Sequence, residues 1–319
     1  MTEFNQDSHQ EAIKANLKMF NEGFAKKYDH YESQTIFSIL FSKYLLEYDF
    51  KNPTNRKSLA ETEHVIGDPY IQSNGLSVEK DLPDPKTYLT RFPNSIIKPG
   101  IKMLDFACGT GSVTEMFVPY LTDEEKSSEL IGMDINPAFL KQFDLKADKY
   151  NSDKLEFKSY QYDLLDESVQ SELSTKFENR FDLIICTLAY HHIDNYELVT
   201  KKLATFLKPQ GWLFIIDLYN EDVDSPTPNL ECPAVRHMGG LKLSKLNHTL
   251  SNIAGLENVS SARQFRTYIW QEDIFIKFHS PEAVIKKMQA GELESKDIGN
   301  DETGYLIECS IVYAAGQKK

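Results

Sequence analysis

Several features that would place the chain in a common class are missing from its 319 residues. Four cysteines stand far apart with no CxxC pair, which argues against a disulfide scaffold and against a cysteine-based metal site. No run of about 18 apolar residues occurs, so we expect no membrane span. Basic residues are few, 35 against 48 acidic ones, and a net charge of −13 disfavours nucleic acid and anionic lipid as partners. The polar, acidic N-terminus does not resemble a signal peptide. We therefore expect a cytoplasmic globular protein that holds no metal.

The chain divides near residue 100 into two parts with different sequence patterns. Apolar residues recur at helical spacing in residues 11–28 and 34–50, while residues 51–85 are polar and contain many glycines and prolines. The sequence therefore predicts a helical N-terminal lid or cap over residues 1–99, with a flexible loop at about 51–85, and a second domain over residues 100–319.

Residues 100–220 alternate between short apolar runs and helix-length amphipathic segments. The runs occupy residues 101–106, 130–134, 155–160, 181–186 and 212–217. Five buried strands separated by helices indicate an α/β fold with a parallel sheet covered on both faces. Two further strand-like segments, 259–270 and 305–314, follow a helical segment at 241–254.

A glycine-bearing turn follows the first strand, in the segment MLDFACGTGSVTEMF. Gly109 and Gly111 allow the backbone to approach a ligand closely, and the next helix would direct its free N–H groups toward that ligand. Asp134 ends the second strand, where a carboxylate can accept hydrogen bonds from ribose hydroxyls. Asp163 follows the third strand, where a carboxylate can accept from an adenine amine. Acidic residues at successive strand ends favour a nucleoside ligand.

The residues around the turn distinguish between two nucleoside ligands. A dinucleotide site favours GxGxxG, but Thr114 stands three residues after Gly111. Asp105, just before the turn, would repel a pyrophosphate and could instead hold the cationic amino group of an amino acid. The pattern therefore favours S-adenosylmethionine over NAD as the cofactor.

The segment LDFACGTG resembles motif I of the class I S-adenosylmethionine-dependent methyltransferases. The resemblance continues through FDLIICTLAYHHIDN and LKPQGWLFIIDLYN to the C-terminal YLIECSIVYAAGQKK, and NEGFAKKYD is similar to a lid motif of the small-molecule group that includes ubiquinone-biosynthesis C-methyltransferases. It implies a doubly wound, Rossmann-like, mostly parallel sheet of seven strands with a helical N-terminal lid. One departure is Ala107, where the family usually has glycine; alanine suits this position only if the backbone needs no positive φ there.

The resemblance also implies roles for individual residues. It places Tyr28 near the cofactor, Asp134 on the ribose and Ile135 on the adenine face. The remaining cofactor contacts that it implies are Asp105, Ala107, Gly109 and Gly111 at the methionine end, Asp163 and Leu164 at the adenine edge, and Cys186 and Thr187 at the end of the fourth strand.

Methyl transfer from a sulfonium is an in-line displacement with a neutral leaving group, so no general acid is needed. A base is required only if the acceptor must lose a proton, and the candidates are Tyr190, His191 and His192. The sequence leaves three functions open: a methyltransferase with a small-molecule acceptor, a protein methyltransferase, and a non-catalytic binding module. It predicts neither the acceptor nor the oligomeric state.

Overall fold

A computed structural model describes residues 5–53, 65–66, 76–123, 125–219, 232–299 and 302–319. Its strands are β1 (Val65–Ile66), β2 (Lys102–Phe106), β3 (Ser128–Asp134), β4 (Leu155–Gln161), β5 (Phe181–Thr187), β6 (Leu207–Leu218), β7 (Glu257–Glu272), β8 (Ser295–Gly299) and β9 (Glu302–Gln317). Its α-helices are α1 (Gln6–Met19), α2 (Glu22–Tyr28), α3 (Glu32–Leu46), α4 (Val78–Asp81), α5 (Tyr88–Arg91), α6 (Val118–Leu121), α7 (Pro137–Tyr150), α8 (Gln170–Phe177), α9 (Tyr196–Phe206), α10 (Leu243–His248), α11 (Asp273–His279) and α12 (Glu282–Gln289). None of these helices is both long and apolar enough to cross a membrane.

One mixed sheet organises the molecule, in the strand order β1-β7-β9-β6-β5-β2-β3-β4, with β8 paired to β9. Strands β2 to β6 run parallel, and β9 runs antiparallel to both of its long neighbours, β6 and β7. The predicted doubly wound sheet with seven core strands is therefore confirmed. The strand order reverses between β2 and β5, and in open α/β sheets ligands bind at the carboxyl ends of the strands at such a point.

The short strands β1 and β8 add to the predicted seven. Strand β1 pairs in parallel with β7 and falls within the predicted loop at 51–85. Helix α4 falls within it as well, and residues 54–64 and 67–75 of that loop lie outside the described residues. The predicted mobility of the segment therefore stays a prediction.

Two layers of apolar side chains cover the sheet. One layer includes Phe143 of α7 and Phe214 of β6, and the other includes Leu173 of α8 and Leu203 of α9. Burial on both faces explains the continuous apolar runs of the central strands. Strand β4 is an edge strand, and its residues alternate between buried Leu155 and exposed Glu156, so the prediction of a fully buried third strand was wrong.

Helix α3 packs into the same core as the sheet. Its Tyr44 is fully buried, and its ring centre lies 5.9 Å from that of Phe214 in β6 and 5.1 Å from that of Tyr313 in β9. The predicted boundary at residues 99 and 100 therefore does not separate two cores, because the apolar face of α3 is buried against the sheet itself. Within the described residues, α1 and α2 are the two elements that come before α3 in the chain.

Two predicted helices are interrupted. The helix predicted over residues 11–28 ends at Met19 and restarts at Glu22, because the Asn21 side chain caps the second helix by accepting from the backbone N–H groups of Gly23 and Phe24. The helix predicted after the glycine turn begins as a 3-10 segment, Thr114–Phe117, and becomes α-helical only in α6.

Candidate active site

The loop after β2 is tightly curled by left-handed residues. Ala107, Gly109 and Gly111 have φ values of +56°, +54° and +80°. A Cβ on Gly111 would lie 2.7 Å from the Phe143 ring, so only glycine fits there. Ala107 adopts a positive φ despite its side chain, so the expectation that this position avoids the left-handed region was wrong. A non-glycine residue in that region costs roughly 1–2 kcal/mol.

Asp105 lies at the end of β2, beneath this loop, and its side chain is almost completely buried. Its Oδ2 accepts a hydrogen bond of 2.5 Å from the Thr114 hydroxyl, while Oδ1 has no partner among the described residues. Burial, together with the nearby charge of Asp134, raises the pKa of Asp105 to about 7 against the lowering effect of Thr114. A cation brought near Asp105 would relieve this destabilised carboxylate.

Asp134 connects the end of β3 to the glycine loop. One oxygen accepts from the Gly109 N–H at 2.9 Å, and the other accepts from the Asn136 N–H at 2.8 Å. Burial raises its pKa to about 6, and these backbone hydrogen bonds oppose the rise. Asn136, and not Asp134, caps α7 by accepting from Ala138 and Phe139. Because each carboxylate oxygen has two acceptor positions, Asp134 retains capacity for ligand hydroxyls.

Asp163, after β4, is bound by the N-terminal part of the chain. Its Oδ2 lies 2.8 Å from Nε2 of His9 in α1, and its Oδ1 accepts from the Leu165 N–H at 2.9 Å. The side chain of Asp163 is 18% exposed. Sequence reasoning did not identify His9, because the contact joins residues 154 positions apart and no local pattern marks it.

A pocket opens over the carboxyl ends of the strands, next to the glycine loop. Nine of the predicted site residues line it: Tyr28, Ala107, Gly109, Asp134, Ile135, Asp163, Leu164, Thr187 and His192. Five others do not line it: Asp105, Gly111, Cys186, Tyr190 and His191. Cys186 is buried in the core, and burial raises the pKa of its thiol well above the usual value.

Two helices close the pocket from the N-terminal side. Helix α1 supplies His9, Ala12, Ile13 and Asn16, and helix α3 supplies Gln34, Phe37, Ser38 and Phe41. Both sets follow the i, i+3, i+4, i+7 spacing of a single helical face. Two of the four α3 residues are aromatic, and the rings of Phe37 and Phe41 are stacked with 5.4 Å between their centres.

Tyr28, at the end of α2, lines the pocket. Its ring centre is 5.3 Å from that of Phe139 in α7. Burial raises the pKa of its hydroxyl, and the charges of Asp29 and Asp134 add to the effect. The hydroxyl is therefore neutral at physiological pH.

Asp29, the residue after α2, attaches the lid to the glycine loop and was not singled out by sequence reasoning. Its Oδ1 accepts hydrogen bonds from the Thr110 and Ser112 hydroxyls, and its Oδ2 pairs with Lys146 Nζ at 2.7 Å. Burial by itself would raise the pKa of Asp29, but Lys146 and the two hydroxyls hold it below the usual value. The sequence signal that could have identified Asp29 was the lid motif NEGFAKKYD, because this aspartate is its last residue.

The three residues predicted as proton acceptors occupy different environments. Tyr190 is fully buried, with its hydroxyl 3.0 Å from that of Thr200, and burial raises its pKa well above the usual value. His191 directs Nδ1 to Asp217 at 2.6 Å. His192 lines the pocket, and burial lowers its pKa well below 6.5. Proton transfer by Tyr190 is disfavoured, because its hydroxyl contacts Thr200 in the core and does not line the pocket.

Comparisons with known proteins identify similar sequences for the part of the chain that contains the glycine loop, Asp134 and Asp163. Residues 104–213 match the family described as "Methyltransferase domain". An uncharacterised methyltransferase of Schizosaccharomyces pombe is 27% identical over 311 residues, covering 96% of this chain and 98% of the relative. An uncharacterised protein of Haemophilus influenzae is 26% identical over 143 residues, which is 45% of this chain and 50% of that protein.

Among solved structures, a SAM-dependent methyltransferase from Archaeoglobus fulgidus aligns with 78% of this chain and 98% of its own, at 15% identity and a TM-score of 0.43. The family match begins within β2 and ends within β6, and it includes the glycine loop, Asp134 and Asp163. By this match, and in agreement with the order of its parallel strands, residues 104–213 of the chain are similar to a methyltransferase domain.

Proposed function

We propose that this chain binds S-adenosylmethionine and transfers its methyl group to a small-molecule acceptor. The observation that carries the proposal is a single pocket with two chemically different walls. The glycine loop and the aspartates Asp134 and Asp163 form one wall. One face each of α1 and α3 forms the other wall, whose apolar residues are Ala12, Ile13, Phe37 and Phe41. A nucleoside suits the first wall, and an acceptor with an aromatic or aliphatic body suits the second.

The residues present fit this cofactor. Asp105 does not line the pocket, but its unpartnered Oδ1 lies beneath the glycine loop, from where it would attract the methionine amine across the loop. A Cβ on Gly109 would meet only the Phe139 ring edge, at 3.9 Å, which leaves space for close approach of a ligand to the loop. Asp134 would hold the ribose hydroxyls. The bound cofactor supplies a methyl group on a positively charged sulfur, which leaves as a neutral thioether.

This chain's own part in the reaction is to orient the acceptor and exclude water. In-line displacement depends on alignment of the nucleophile, the methyl carbon and the sulfur. The helix faces of α1 and α3 cover the strand ends, and Gln34 and Ser38 offer polar groups beside the apolar Phe37 and Phe41 of α3. Of the three predicted proton acceptors, His192 is the one that lines the pocket.

Cofactor identity is tested first, by thermal shift. S-adenosylhomocysteine at 100 times its Kd should stabilise the fold by about 2.7 kcal/mol, while NAD should leave the melting temperature unchanged. A shift with NAD and none with S-adenosylhomocysteine would overturn the assignment. No turnover with any extract, despite tight binding, would instead support a non-catalytic binding module.

Acceptor class is tested with labelled S-adenosylmethionine and two extracts, one of metabolites and one of proteins. We expect label in the metabolite extract, whereas label in protein would favour a protein methyltransferase. Once an acceptor is known, Gln34→Ala should raise its KM without changing affinity for S-adenosylhomocysteine. Thr35→Ala is the matched control, because Thr35 is exposed on the same helix.

A further inference from the structure

Three histidines from two distant parts of the chain meet beside the pocket. His191 and His192 lie in the turn after β5, and His279 is the last residue of α11. One ring nitrogen of each lies within 4.8 Å of those of the other two. The ring centres are 4.1 Å apart for the adjacent pair, and His279 lies 5.6 and 5.5 Å from His191 and His192.

Each of the three rings has an oxygen acceptor at Nδ1. His191 faces the Asp217 carboxylate at 2.6 Å, His192 the Ala234 carbonyl at 2.7 Å, and His279 the Phe275 carbonyl at 3.1 Å. A carbonyl or carboxylate at Nδ1 favours the tautomer protonated there, which leaves the Nε2 lone pair available. Metal-binding histidines characteristically donate their other ring N–H to such an acceptor.

Packing by itself accounts for only part of this arrangement. The His279 ring stacks on Phe275 at 4.3 Å, and the His192 ring meets Phe20 edge-on at 5.3 Å, so aromatic contacts hold the rings in place. Such contacts do not require all three Nδ1 atoms to have oxygen acceptors. The cluster is also well buried, with His191 3% and His279 7% exposed, and the Asp217 carboxylate behind it is fully buried.

We propose that His191, His192 and His279 bind a divalent transition-metal ion of the zinc class through Nε2. Imidazole ligands suit zinc, copper, iron and nickel and do not suit magnesium or calcium, which prefer oxygen. Three imidazoles leave one position of a tetrahedral zinc ion open. Ligand nitrogens in such a site are about 3.4 Å apart, given zinc–nitrogen distances of about 2.1 Å, so the rings must draw somewhat closer on binding.

The ion would lie next to the candidate active site, because His192 also lines the pocket. An imidazole that holds a metal through Nε2 cannot accept a proton there. Metal binding therefore replaces the proton-transfer role predicted for the histidine pair. This proposal also differs from the expectation that the protein holds no metal. That expectation was based on the spacing of the cysteines, and it did not consider histidines that are distant in sequence.

Metal binding is measured on the full chain, without affinity-tag histidines and after treatment with a chelator. We expect one equivalent of Zn²⁺ per chain by calorimetry, and Co²⁺ should give the intense visible absorption of a tetrahedral site. His279→Ala removes one ligand without altering the pocket lining and should weaken Zn²⁺ binding by about 100-fold or more. His248→Ala is the matched control, because His248 is exposed in α10, and it should bind Zn²⁺ like the wild type.

A second variant covers the case in which His279→Ala does not fold. Asp217→Asn preserves the shape behind His191 but not its charge and should weaken Zn²⁺ binding about 10- to 100-fold. Less than one equivalent in the wild type, or unchanged affinity in folded His279→Ala, would overturn the proposal. None of these measurements depends on methyl transfer, so their failure is distinguishable from failure of the proposed function.

Discussion

Asp29→Asn is the sharpest test of how the lid is attached to the glycine loop. The Asp29 carboxylate is two-thirds buried and accepts from two hydroxyls of the loop as well as from Lys146 of α7. Asparagine keeps one acceptor oxygen but loses the negative charge. The change therefore removes the ion pair with Lys146, whose side chain is only 15% exposed, and weakens the bonds from Thr110 and Ser112.

The expected loss of stability follows from these contacts. A hydrogen bond to a charged group contributes roughly 1.5–3 kcal/mol when it is buried, whereas an exposed ion pair contributes about 0–1 kcal/mol. Because Asp29 lies between these cases, we expect Asp29→Asn to lower the free energy of unfolding by about 1–3 kcal/mol. The change also releases the lid from the loop, so affinity for S-adenosylhomocysteine should fall about tenfold, equivalent to about 1.4 kcal/mol.

Urea unfolding and calorimetry measure the two effects, with Glu22→Gln as the matched control. Glu22 pairs with Lys141, which lies in α7 as Lys146 does. This ion pair is longer, at 3.5 Å, and both of its side chains are about two-thirds exposed. Its loss should change stability by less than about 0.5 kcal/mol. If Asp29→Asn matches Glu22→Gln in both stability and affinity, the carboxylate does not fasten the lid.

The pH dependence of the Asp29 effect has a definite sign. The pKa of Asp29 is lowered in the folded state, so its contribution to stability is present above the unfolded pKa of about 3.9. The contribution is lost as the pH falls from there through the folded pKa. The difference in stability between the wild type and Asp29→Asn should therefore shrink below about pH 4. A difference that persists unchanged into strong acid would point to a cause other than charge.

Four other perturbations have defined outcomes. Asp134→Ala should leave the chain folded but weaken S-adenosylhomocysteine about 10- to 100-fold by calorimetry, and unchanged affinity would remove it from the site. The pKa of Asp105 is raised in the folded state to about 7, so the ligand-free wild type should lose stability relative to Asp105→Asn as the pH rises from 4 to 7. Urea unfolding should show a loss of about 3 kcal/mol, and a constant difference would contradict this. Ala107→Gly should leave the melting temperature unchanged or raise it, while Ala107→Val should lower it, because φ is +56°. Deleting residues 1–30 should leave the sheet folded by circular dichroism but strongly reduce S-adenosylhomocysteine affinity; loss of the folded sheet would show that α1 and α2 are structural.

The sheet could be predicted because its signals are local. Continuous apolar runs mark β2, β3, β5 and β6, and the turn residues that follow them are adjacent in sequence. The start of α7 is also marked locally, because Asn136 supplies its cap and Pro137 its first position. The positive φ of Ala107 could not be read from composition, because the surrounding loop imposes it.

Contacts between distant residues were the part that sequence could not supply. His9 with Asp163, and Asp29 with Thr110, join segments separated by more than 80 residues. A polar side chain on a helix surface gives no sign of such a partner, because solvent exposure and a distant contact produce the same pattern. The contact of His279 with His191 and His192 could not be predicted for the same reason, because these residues are distant in sequence.

The N-terminal helices differ in how they join the sheet, and this difference bears on function. Helix α3 is held by burial of apolar rings such as Tyr44, so it forms a fixed wall of the pocket. By contrast, α1 and α2 combine aromatic packing of Phe20 and Tyr28 on Phe139 with polar contacts. The polar contacts are those of His9, Asp29 and the backbone carbonyl of Phe20, which accepts from Asn136 at 2.7 Å. Each of these polar contacts joins the N-terminal helices to Asp163, to the glycine loop or to Asn136, which lies two residues after Asp134. A ligand that competes for Asp163 or reorders the glycine loop therefore acts directly on the lid, whereas displacement of α3 would require opening the core. Under the proposed function, we therefore expect cofactor binding and closure of the pocket to be coupled through α1 and α2, while the α3 side of the pocket keeps its shape.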